Sequence, residues 1–340
     1  MDTPVLFGSD ISLPRNPTEP LHAVPKRHVD ALTGDLSTLK TENKGTLVDA
    51  VNELWDVLFP PDLKLTVVPT SSVMTFTLPF GAGELSKIQS IDWGDGSTEL
   101  AMSHTYSDTA ERKVKVNIVP GSVFTEFTFY NKTGSKILKS IDVCDIECST
   151  TSLNTFRGCS ALLSVCVGVF AKCLQVTNFS SCFYDCSSLT SIPSGLFDKN
   201  TEVTNFYCCF YGCSSLTTIP SGLFDKNTAV TNFSNCFSSC SSLTSIPQGL
   251  FDKNTVVTTF SSCFSSCSKI TDVASDAFGT TPNSTRNVSF AQCFYNCSAI
   301  TSNVPTLWTL FTAAGVTKSG CFTGVTQTAN YTDIPLVWRT

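Results

Sequence analysis

The first 143 residues of this 340-residue chain contain no cysteine, although 17 cysteines follow between Cys144 and Cys321. A boundary that sharp in composition marks at least two modules. Charge is scarce as well: only 15% of residues are charged, where about a quarter is usual for soluble domains. The net charge of −6 leaves no basic excess for nucleic acid or an anionic membrane. No run of 18 apolar residues occurs, and the opening MDTPVLFGSD has no basic stretch followed by an apolar one. Neither a membrane span nor a signal peptide is therefore expected, and synthesis in the cytosol follows. Histidine is limited to His22, His28 and His104, so no Ser/His/Asp or Cys/His constellation can be assembled, and catalytic, metal and cofactor sites are all expected to be absent.

What the chain does contain is a repeat. YDCSSLTSIPSGLFDKNTEVTNFYCCF runs from Tyr184 to Phe210, a close copy from Tyr211 to Phe237, and a third ends at Phe264. Phe156, Phe183, Phe210, Phe237 and Phe264 stand 27 residues apart, and Phe294 and Phe322 follow at 30 and 28. A unit of this size cannot bury its own apolar face, so neighbouring units must stack. Phe179, Cys182, Phe183 and Cys186 fall at i, i+3, i+4 and i+7, which predicts a helix with one buried face. SSLTSIP reads as a short strand closed by Pro193 and Gly195, and DKNT as a polar turn. The expected fold is α/β in this region, a strand, turn and helix in each unit.

The paired cysteines, such as Cys182 with Cys186, invite a zinc reading. Tetrahedral zinc needs four convergent ligands, and here the pairs alternate with Phe on a core face with no histidine in the region. Cysteine as a small buried hydrophobe is the simpler account. The odd count and the missing export signal predict free thiols.

Positions held for packing should be alike from unit to unit, and positions free for recognition should differ. On the expected helices the outward residues that differ include Tyr184, Asp185, Tyr207, Tyr211 and Asn235, residue types favoured in adaptable binding surfaces. A ladder of Thr190, Ser191, Thr217 and Thr218 on the concave strands is the rival surface, suited to hydrogen-bonding a glycan.

The pattern FxxCSSLTSIPxGLF, recurring at least five times from about Ile137 to Thr323, resembles the BspA-like leucine-rich-repeat family. The resemblance implies a curved leucine-rich-repeat solenoid over residues 121–323, with residues 324–340 as a C-terminal cap, and a role in surface binding or adhesion.

Residues 12–32, with LPR, PTEPLHAV and a K-x-x-VD element, resemble a segment near the N-termini of phage tail and head fibre proteins. This implies an extended particle-attachment segment over residues 1–25, with Leu13, Pro14, Arg15, Pro17, Pro20 and Leu21 as attachment candidates. Pro14, Pro17, Pro20 and Pro25 exclude a continuous helix there. Over residues 26–60, Val29, Leu32, Leu36 and Leu39, then Leu47, Val51, Leu54 and Leu58, predict two short amphipathic helices. They form either a self-association seam or an intramolecular hairpin, and the likeness to fibre proteins implies a homotrimer.

After Pro60 and Pro61, short β-prone runs predict a small β-sandwich over residues 62–120. WGDGS at Trp93 to Ser97 with HTY at His104 to Tyr106 resembles the PKD-like Ig-fold family. Asp92 and Asp95 read as turn residues rather than calcium ligands.

Together these readings describe a non-enzymatic virion fibre or appendage protein of a bacteriophage. Its expected partners are a tail adaptor, baseplate or capsid at the N-terminus and a bacterial surface glycan or protein at the repeats. One alternative is a tailspike-type glycan hydrolase, which needs paired carboxylates in a groove; outside the DKN turns only Asp185, Glu202, Asp272 and Asp276 offer acids between residues 151 and 300. The other is a cellular BspA-like surface adhesin.

Overall fold

The computed structural model describes residues 11–13, 22–24, 61–280 and 285–340, and the chain divides into two compact units, Met1–Pro60 and Pro61–Thr340. In the first, strand β1 (Ile11–Leu13) pairs antiparallel with β2 (His22–Val24), Leu13 lying opposite His22. The attachment candidates Pro14, Arg15, Pro17, Pro20 and Leu21, and the eight seam residues from Val29 to Leu58, lie outside the described residues.

The second unit opens with β3 (Leu63–Val67), β4 (Thr75–Thr77), β5 (Ile88–Asp92), β6 (Ser103–Thr105) and β7 (Arg112–Ile118). β8 (Leu138–Cys144) and the two-residue β9 (Ser164–Val165) follow. One sheet has the order β5-β7-β3-β8-β9, and β4 pairs separately with β6. Alternation drives the central pairing, because Leu63 and Leu65 face Val116 and Val114 across the β3–β7 ladder and all four are buried. The sheet thus reaches past residue 120 into β8 and β9, where a closed sandwich of residues 62–120 was expected.

Beyond the sheet, successive units meet by parallel bridges between equivalent residues: Asn178 to Asn205, Asn205 to Asn232, Asn232 to Thr259, and on to Ser289 and Thr317. The helices predicted for the repeats are absent from their described residues. Phe179 to Cys186 instead forms three overlapping four-residue turns, in which the N–H groups of Cys182, Tyr184 and Cys186 each donate to the carbonyl three residues back. The intervening N–H groups of Phe179, Ser181, Phe183 and Asp185 donate to Asn205, Tyr207, Cys209 and Tyr211 in the next unit, at 2.8–2.9 Å. Ser181 and Asp185 have φ of 59° and 56°, a left-handed backbone every fourth residue that a helix does not contain. The four-residue rhythm still buries Phe179, Cys182, Phe183 and Cys186, so the helical spacing located the buried face and mistook the backbone that carries it.

The SSLTSIP strands are equally reduced. β10 (Ser245–Ile246) pairs in parallel with β11 (Asp272–Val273), and Thr190–Ile192 and Thr217–Ile219 form no strand. Among the described residues the only α-helices are α1 (Leu307–Leu310) and α2 (Leu336–Arg339), both past the repeats. An α/β leucine-rich-repeat solenoid needs a helix in each unit, so that fold class, with its β-sandwich, gives way to small sheets followed by a stack of turn-built layers.

The layers are held by columns of identical residues. Phe129, Phe156, Phe183, Phe210, Phe237, Phe264, Phe294 and Phe322 stack ring on ring at 5.1–5.8 Å. Asn200, Asn227 and Asn254 are buried, and each donates its side-chain amide to two carbonyls of the preceding layer, as Asn227 does to Phe197 (3.1 Å) and Asn200 (2.8 Å). At the end of the stack the carbonyls of Thr340 and Trp338 accept from the N–H groups of Gly320 (2.6 Å) and Phe322 (2.8 Å), where a further unit would otherwise supply them.

Candidate functional site

The candidate surface grows from the residue that follows each stacked phenylalanine. There the turns aim outward, and in successive layers the position holds Tyr130, Arg157, Tyr184 and Tyr211. The Tyr184 and Tyr211 rings lie 4.8 Å apart and 7° from parallel. The Arg157 guanidinium sits 5.1 Å from the Tyr184 ring centre and 4.7 Å from that of Tyr130. The result is one column of ring, cation, ring and ring, each face covering the next, with cation–π attraction holding the arginine in place. Tyr184 and Tyr211 were legible as recognition candidates. Tyr130 and Arg157 were missed, although stepping back 27 residues from Tyr184 reaches both.

Asp185 is exposed and left-handed, and its carboxylate lies over Gly212 of the next layer, so only glycine fits beneath it at φ of 72°. Tyr207 is 43% exposed, and its hydrogen bond with Cys208 holds the phenol pKa above the ordinary value. Asn235 is half-buried at φ of 57°, a backbone region that asparagine tolerates, and its N–H donates to Ser261 at 2.9 Å.

The threonine ladder is committed differently. The Thr190, Thr217, Thr244 and Thr271 hydroxyls donate to the carbonyls of Leu163, Thr190, Thr217 and Thr244 at 3.2–3.5 Å. Their donors serve the joints between layers, and only acceptor capacity faces outward. Ser191 and Thr218 are exposed beside them. Thr177, Thr204, Thr231 and Thr258 form a second such ladder that was not anticipated, the hydroxyl of each donating to the layer before it. An open cavity of about 460 Å³ adjoins β10 and β11, with Ser245, Gln248 and Asn303 on its wall and Asp272 as its single carboxylate.

The cysteines are packing elements with one exception to the expectation of free thiols. Cys148 and Cys173 form a disulfide, their Cα atoms being 4.9 Å apart, within the span such a bond bridges. The other fifteen are free, all buried except the half-buried Cys144 and Cys166. Cys186, Cys213, Cys240, Cys267 and Cys297 donate their thiols to phenylalanine carbonyls of the preceding layer at 3.0–3.2 Å. Burial pushes the Cys182 and Cys297 thiols up to about 12, which removes them as nucleophiles near neutrality.

In the sheet region, His104 lies between two carboxylates, Nε2 at 2.7 Å from Asp95 and Nδ1 at 2.8 Å from Glu99, with its ring stacked on Trp93 at 5.1 Å. Burial opposes its charge, but the hydrogen bonds to Glu99 and Asp95 prevail and raise its pKa. Asp92 and Asp95 accept the backbone N–H groups of Gly94 and Ser97, which is the chemistry of the turn itself. No protein-family model and no curated protein matches the chain.

Proposed function

We propose that this chain is a non-catalytic structural fibre or appendage protein of a bacteriophage particle, and that its repeats bind a glycan or protein on the bacterial surface. Residues 1–25 dock it to a tail adaptor, baseplate or capsid protein, and residues 26–60 join three copies. The observation that carries the recognition role is the half-buried, outward column Tyr130, Arg157, Tyr184 and Tyr211. Surface tyrosines offer large, rigid contact area at low entropic cost. The attachment and trimer roles rest on the LPR and PTEPLHAV motifs and on the apolar spacing from Val29 to Leu58.

Paired variants test the reading on purified protein and bacterial cells. Tyr184→Ala with Tyr211→Ala is expected to abolish cell binding, whereas Thr190→Arg with Thr217→Arg leaves it intact. The opposite result transfers recognition to the threonine ladder. If neither pair matters, the repeats are a spacer and the reading fails. Sedimentation of residues 62–340 as a monomer beside a trimeric full chain tests the seam.

A further inference from the structure

Arg157 is the charged member of the column Tyr130, Arg157, Tyr184 and Tyr211, and it holds no counter-charge. Its guanidinium carbon stands 4.7 Å from the Tyr130 ring centre and 5.1 Å from that of Tyr184. Among the described residues no carboxylate pairs with it and no oxygen accepts from it. Cations of the sheet region and first layers behave differently: Lys87, Arg112, Lys132, Lys139 and Lys172 each hold a carboxylate at 2.5–2.9 Å. The carboxylates of the layers that flank Arg157 are turned elsewhere, Glu126 to Lys132 at 2.8 Å and Asp185 over Gly212. Nor is the cation sealed in. The Nε atoms of Arg112 and Arg339 are buried without a partner, whereas no nitrogen of the half-buried Arg157 is.

A mobile surface lysine that goes unpaired keeps its water. A guanidinium clamped between two rings has given up water from its faces, and its five N–H donors lie in its plane, along the edge that the rings leave free. That edge is a fork matched to two oxygens of a carboxylate or a phosphate, which it takes through two parallel charge-assisted hydrogen bonds. The rings have already removed the rotamer freedom that an arginine ordinarily loses on binding, so the fork is organised before an anion arrives. A neutral hydroxyl would meet the same donors without balancing their charge.

We infer that Arg157, clamped between Tyr130 and Tyr184, is the anion subsite of the recognition surface and takes a carboxylate or phosphate group of an acidic bacterial-surface glycan. This inference rests on the recognition role proposed above and narrows its ligand to an acidic glycan.

The test uses the full chain with polygalacturonate as the carboxylate probe, poly(glycerol phosphate) as the phosphate probe and uncharged dextran as the control, read by calorimetry beside binding to bacterial cells. At least one anionic polymer is expected to bind, more weakly as salt is raised, and dextran is not. Binding of one polymer alone identifies the group that the fork takes. Arg157→Gln removes the charge, and Arg157→Lys keeps the charge and loses the fork; each is expected to weaken binding by about tenfold or more. Lys269→Gln, at an exposed cation of the repeats, should leave it unchanged. Should Arg157→Gln lower the thermal midpoint, Arg157→Lys reads the fork alone. The subsite is overturned if the wild-type chain binds neither anionic polymer, if either Arg157 variant binds as tightly as the wild type, or if Lys269→Gln loses as much. Cell binding that survives Arg157→Gln but is lost in Tyr184→Ala with Tyr211→Ala overturns the subsite and spares the wider reading. Cell binding that survives both overturns the subsite together with the recognition role of the column.

Discussion

The sheet and the layered repeats bury aromatic rings in opposite ways. In the sheet region each ring has partners of its own: Trp93 packs on His104, donates its indole N–H to the Glu99 carbonyl, and accepts the Tyr106 hydroxyl at its own carbonyl. In the repeats a ring meets copies of itself, as Phe210 does between Phe183 and Phe237. Unique partners tie a region into one cooperative unit. Interchangeable partners make stability a sum over neighbouring layers, so that damage at one layer divides the array.

The largest effect that would sharpen this contrast comes from Phe237→Ala. Removing a fully buried ring from the middle of the column is expected to cost about 3–5 kcal/mol and to split denaturant unfolding into two transitions, whereas Trp93→Ala should cost a similar amount with the repeats unfolding as before. A single shared transition for both variants, followed by circular dichroism and tyrosine fluorescence, would break the comparison. Next comes Asn227→Ala, which strips hydrogen bonds from the carbonyls of Phe197 and Asn200. A loss of about 1–3 kcal/mol is expected in equilibrium unfolding, confined to the repeat transition.

A pH titration separates the two regions more gently. His104 has a raised pKa in the folded chain, so its contribution is complete below the ordinary histidine value near 6.5 and is lost as pH rises through the higher folded value. Asp95 has the opposite sign: burial opposes its charge, the Ser97 N–H and His104 outweigh it, and the stability it adds is lost as pH falls through its lowered value. The sheet transition should therefore weaken at both ends, and His104→Ala should flatten the alkaline limb, while the repeat midpoint stays level over the same range. Thr217→Val is the smallest change. Its long 3.5 Å bond at an exposed site predicts a shift within about 0.5 kcal/mol.

Much of the repeat region was legible in the sequence because identical residues at a fixed interval must occupy identical environments. The period located the phenylalanine columns, the buried cysteines and the outward Tyr184 and Tyr211. The helix was misread for a definite reason. Overlapping four-residue turns return side chains to the same face with nearly the spacing of a helix, and left-handed residues such as Ser181 and Asn235 leave no mark in a hydrophobic pattern. The buried asparagines were read as part of a polar turn, since DKNT looks solvated throughout, although Asn200 is fully buried while Asp198 and Lys199 are exposed. The pairing of β3 with β8 was invisible because nothing local to either strand names a partner more than seventy residues away.

The bonds between layers run in two senses: along the double turns, as at Phe183 and Phe210, N–H groups point toward the C-terminal neighbour, whereas at Thr177, Thr204, Thr231 and Thr258 they point toward the N-terminal one. In ordinary β-sheets strand dipoles largely cancel; here the peptide dipoles add from layer to layer within each strip, as they do along a helix, and the two strips oppose one another. The double-turn strip therefore has its positive end at Gly320 and Phe322, where the carbonyls of Trp338 and Thr340 close it. A polar stack of this kind has a head and a tail: a layer can be inserted or removed in register, but it cannot be turned over, because its donors would then face donors.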